Sequence, residues 1–65
     1  QNYDAAIKDY SKVIESDENN AEVYGYRANA YIMLKKYNEA LKDLNKAIQL
    51  DPNVAVYYFG RGGCY

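Results

Sequence analysis

The chain has 65 residues, of which 49% are apolar and 26% charged, with a formal net charge of −1. This is a globular balance at a length that allows one small domain with a marginal core. The near-zero charge argues against nucleic acid or an anionic membrane as the main partner, because both call for a basic field.

The first predicted element is an amphipathic helix over 3–16. Tyr3, Ala6, Ile7, Tyr10, Val13 and Ile14 recur at three- and four-residue spacing, with Asp4, Lys8, Asp9, Lys12 and Glu15 opposite. Residues 17–20 (Asp, Glu, Asn, Asn) lack an apolar period and are rich in capping types, so they read as a turn with Asn20 as the next N-cap. A calcium loop would need a longer, regular ligand spacing and a central glycine. A second helix covers 21–34, with Tyr24, Ala28, Tyr31 and either Ile32 or Leu34 on its inner stripe. Ala28 is small where two helices need to approach closely. The chain breaks at Lys35 and Lys36.

The third helix covers 37–50, with Tyr37, Ala40, Leu41, Leu44, Ala47 and Ile48 inside. Asp51 and Pro52 stop it, because a residue before proline is pushed out of the α region. The short link at 35–36 makes the second and third helices antiparallel neighbours. A fourth helix begins near residue 54 and carries Tyr57, Tyr58, Phe59 and Arg61 as far as about 64. Gly60, Gly62 and Gly63 each cost roughly 1 kcal/mol relative to alanine there, so this end is expected to be frayed.

These elements repeat. Sliding the chain against itself by 34 residues gives twelve identities over the 31-residue overlap, among them Tyr3 with Tyr37, Ala6 with Ala40, Asp9 with Asp43 and Arg27 with Arg61. A period of this length marks a repeat architecture, in which each unit needs neighbours to cover its apolar faces.

The unit resembles the tetratricopeptide repeat. That family's pattern has an aromatic, then Leu-Gly, then Tyr, followed by an alanine with an aromatic four residues on, and a closing proline. At the same spacing this chain has Tyr24, Arg27 with Ala28, Tyr31, then Ala40, Leu44 and Pro52. Ahead of it stand Ala6 and Tyr10, with Glu18 at the proline position; after it stand Tyr58, Arg61 with Gly62, and Tyr65. Arg replaces Leu twice, Ala28 replaces Gly, and Leu44 replaces the aromatic.

The resemblance implies an all-α solenoid of stacked antiparallel helical hairpins. Residues 1–20 would be the second half of a repeat, 21–54 a complete repeat, and 55–65 the first half of another. Starting at Gln1 and in mid-repeat, the chain is expected to be a piece of a longer protein. The resemblance also implies a non-catalytic protein-interaction scaffold that takes a peptide or helix in a concave groove. Matching positions for that groove are Glu22, Gly25, Asn29, Ile32 and Met33, continued by Val56, Phe59 and Gly63. Asn29 matches an asparagine that grips peptide backbone in family members. Members that bind the acidic C-termini of heat-shock chaperones use Lys and Arg in the groove. The matching positions here hold Gly25, Tyr26, Val56 and Gly60, so no chaperone binding is expected.

Other residues read blandly. Most of the nine tyrosines fall on inner stripes, leaving Tyr26 and Tyr57 as the two with a partner-facing reading. Arg27 and Arg61 suit a helix interface, stem on aromatic faces and head on a nearby acid, better than a phosphate-binding ladder. Cys64 stands alone and the chain has no histidine, which removes the usual activating base and metal ligand. Asp9, Glu15, Glu39 and Asp43 are expected at solvated positions beside lysines. No catalytic, cofactor or metal residues are expected. No run is apolar enough to span a membrane, and a cytoplasmic setting is the expectation. Two rival readings stand beside the scaffold: end-to-end self-association through exposed half repeats, and a regulatory segment of a larger enzyme.

Overall fold

A computed structural model of the chain describes residues 2–54 and 57–59. It is all-α among those residues, with α1 (Tyr3–Ser16), α2 (Ala21–Met33) and α3 (Tyr37–Leu50). Residues 57–59 are helical, within the fourth helix expected over 54–64, whereas Val54 lies outside it. The expectations placed on Ala55, Val56, Arg61, Cys64 and the three glycines near the end fall outside the described residues. No described helix is long and apolar enough to cross a membrane.

The helix starts follow capping chemistry. Asn2 accepts a hydrogen bond from the Ala5 N–H (3.0 Å) and Asn20 from the Val23 N–H (3.3 Å), each meeting one of the donors that a first turn leaves unpaired. Lys36 holds the same place for α3 and provides no side-chain bond. The turn before it closes α2 by two backbone bonds: the Lys36 N–H donates to the Tyr31 carbonyl (2.8 Å) and the Lys35 N–H to that of Ile32 (2.9 Å). This doubled closure needs a left-handed residue, and Lys35 takes it at φ 61°. Glycine usually sits there, because a side chain strains that conformation by about 1 kcal/mol. At the far end Asp51 caps α3 at φ −146°, and its side chain accepts from the Asn53 N–H (3.4 Å).

The two short turns stack the helices antiparallel, with α2 against both α1 and α3. The core consists of Tyr24, Ala28, Ala40, Leu44, Ala47 and Tyr57, with Ile14, Tyr31, Ile32 and Ile48 packed around it. Ala28, Ala40 and Ala47 are wholly buried, and small residues at these crossings let α2 and α3 close on each other.

Two stripe residues are corrected. Val13 and Tyr37, expected inside, are about two-fifths exposed (41% and 42%). Val13 lies on α1, which has no buried residue at all. Tyr37 lies in the first turn of α3, at the edge of the hairpin. The last helix is shifted by one position: Tyr57 is buried and belongs to the core, while Tyr58 is exposed and donates its hydroxyl to the Pro52 carbonyl (2.9 Å).

Because Asn2 and Lys36 are equivalent repeat positions, Lys36→Asn should supply the missing cap. We expect it to raise stability by about 0.5–1 kcal/mol, read as a shift in the urea midpoint at unchanged slope.

Candidate functional site

Two side-chain constellations lie on opposite faces of α2. The first is polar and closed. Arg27 Nε and Nη2 donate to the two carboxylate oxygens of Asp43 at 2.7 and 2.6 Å, and Nη1 donates to Ser11 Oγ at 3.1 Å. Ser11 in turn donates to the Ile7 carbonyl (2.7 Å). The guanidinium lies 5.7 Å from the Tyr24 ring centre and 5.9 Å from that of Tyr31. Its pKa is pushed above the ordinary value, first by the hydrogen bond to Asp43, against the opposing pull of burial.

Here a sequence expectation is overturned. Asp43 is not a solvated surface acid but a buried one, because the Arg27 fork occupies both its oxygens. A charge removed from water must be paired in this way. Each guanidinium nitrogen and each Asp43 carboxylate oxygen has a partner at this node, and Arg27 works as a structural tie between helices.

The second constellation is open. Glu22, Gly25, Asn29 and Ile32 recur along α2 at three- and four-residue spacing, with Tyr26 beside them. Together with Leu44, Val54, Tyr57 and Phe59 they line a cleft of about 480 Å³. Leu44 is buried, Ile32 is half-buried, and Phe59 stands 85% exposed. Tyr26 is exposed and packs its ring on Tyr10 of α1, with centroids 5.9 Å apart. Tyr57 has its phenol pKa raised, first by burial and then by the negative charges of Asp51 and Glu22.

Of the residues expected in the groove, Glu22, Gly25, Asn29, Ile32 and Phe59 line this cleft. Met33 does not line it and is exposed elsewhere on α2. Val56 and Gly63 lie outside the described residues. Gly25 has a different surrounding from an open groove position: a Cβ built there would come 2.7 Å from Tyr57 Cε1. The Tyr57 ring is seated on bare backbone and is buried, while it still forms part of the cleft wall. Leu44 and Val54 are lining residues that sequence reasoning missed; Tyr26 and Tyr57, given a partner-facing reading but not placed in the groove set, line the cleft as well. Tyr26 was within reach of periodicity, since it lies four residues from Glu22 and three from Asn29. Val54 is in a loop, where no period applies.

Antiparallel hairpins recurring every 34 residues, with one sealed face and one open face, define a helical-hairpin repeat protein. Residues 21–54 match the profile of the tetratricopeptide repeat, and residues 1–20 match a second profile of the same repeat. The chain belongs to the tetratricopeptide repeat family. No curated protein matches it. Repeats of this family generally mediate protein–protein interactions, and the family is typically non-catalytic.

Two substitutions probe the two faces. Arg27→Lys keeps the charge but loses the planar fork, and should cost about 1–2 kcal/mol in urea unfolding. Gly25→Ala gains helix propensity but drives the Tyr57 ring from its seat. The Tyr57 phenol should then titrate closer to the ordinary tyrosine range, as followed by NMR; an unchanged titration would mean the ring is not held by Gly25.

Proposed function

We propose that this chain is a non-catalytic interaction segment whose cleft between α2 and residues 57–59 receives a peptide or helix of a partner protein. The observation that carries this reading is the cleft itself: an apolar floor of Leu44 and Ile32, half-covered, with an exposed aromatic at its rim. A concave site of about 480 Å³ with few, well-placed polar groups has the ordinary form of a ligand-binding surface. Phe59 and Ile32 provide apolar contact, and the amide of exposed Asn29 bonds the partner's backbone. Family membership supports the class of work and leaves the partner open.

Asn29→Ala and Phe59→Ala should each weaken binding of the partner, by about tenfold for the aromatic, with helix content by circular dichroism unchanged. Equal affinity of both variants and the parent chain would defeat the reading.

A second reading, self-association, is favoured by α1. Among the described helices it is the one without a buried residue, and its Val13 is exposed. Light-scattering mass across a hundredfold dilution separates the two: a constant monomer mass removes self-association, and a mass that climbs with concentration supports it.

A further inference from the structure

The charges around the cleft are one-sided. Among the described lining residues Glu22 is the single charged one, and none is Lys or Arg. Asp51 also lies within electrostatic reach of the Tyr57 hydroxyl, as does Glu22. The antiparallel stacking brings Asp17 and Glu18, in the α1–α2 turn, to the same end of the molecule. Neither α1 nor α3 has a basic residue in its last turn, so the negative partial charges of both C-termini at this end go uncompensated. The opposing positive end of α2 is already met by the Asn20 cap and by Glu22 in its first turn. The lysines nearest in sequence, Lys12 and Lys46, stand about one turn back along their helices.

We infer that the cleft takes a cationic amphipathic segment of a partner protein, with apolar side chains on the Leu44, Ile32 and Phe59 surface and a Lys or Arg beside Glu22. This rests on the reading of the cleft as a peptide groove. An acidic segment would meet Glu22 with no counter-charge among the described lining residues and lose affinity. Each partly exposed ion pair of this kind is worth up to about fivefold in affinity.

The test is selection of a random peptide library displayed on phage against the 65-residue chain, followed by calorimetry of the enriched peptides. Enriched peptides should combine apolar residues with Lys or Arg. Glu22→Gln should weaken them about fivefold and Glu22→Lys by more, whereas Asp4→Lys, at the opposite end of α1, should leave affinity unchanged. Neutral or acidic peptides that still depend on Phe59 overturn the charge assignment and leave the groove standing. Equal losses from Glu22→Lys and Asp4→Lys also overturn it, because attraction would then be generic. Enriched peptides indifferent to Phe59→Ala and Asn29→Ala, or no enrichment at all, overturn the groove reading and this inference together.

Discussion

A single guanidinium holds three helices in register. Arg27 lies on α2, clasps Asp43 of α3 through two nitrogens and reaches Ser11 of α1 with the third. Its reach depends on the alanines: Ala28, Ala40 and Ala47 let α2 and α3 lie close enough for the bond lengths observed. The dependence also runs the other way. Without Arg27, Asp43 would be a buried carboxylate with no counter-charge, a penalty of several kcal/mol in a domain this small. The node gives geometric definition more than net energy, since desolvation offsets much of the attraction. For α1, with no side chain fully buried, the bond to Ser11 adds direction to an otherwise shallow apolar contact.

Much of this architecture was legible because it is periodic. Three- and four-residue spacing placed all three described helices, Asn20 announced its own cap, and Asp51 before Pro52 announced the stop. The 34-residue period added what one helix cannot show, namely which helices stack. Failures came where a residue's fate is decided by a distant partner. Asp43 looks like any acid beside a lysine; only the fold brings Arg27, sixteen positions earlier, onto it. The Arg27–Arg61 and Asp9–Asp43 identities did hint that both residues matter, though not that one binds the other. Tyr57 and Tyr58 were read one place out of phase because adjacent aromatics give a period no preference. On the α2 side of the cleft, Glu22, Asn29 and Ile32 had been named through the family resemblance, and they lie along one stripe of the helix. The cleft's other walls belong to a loop and to a short helical stretch that periodicity could not resolve.

The two faces of α2 divide the work. One is closed by the Arg27 node and the core, where each nitrogen of the guanidinium already donates within the fold. The other keeps an apolar floor and a polar rim in contact with water. This separation follows from the helix alone: Arg27, Ala28 and Tyr31 point one way, and Glu22, Gly25 and Asn29 the other. A change on the open face can therefore leave the tie between helices untouched, and under the proposed function it would alter recognition alone.

The seat of Tyr57 on Gly25 bears on the curvature of the array. Gly25 and Phe59 are equivalent positions one period apart. At the first, bare backbone lets the following stretch close to ring contact; at the second, a large aromatic would stand in the way of any helix stacked beyond it. A solenoid whose successive steps are set by such unequal spacers does not wind with constant pitch.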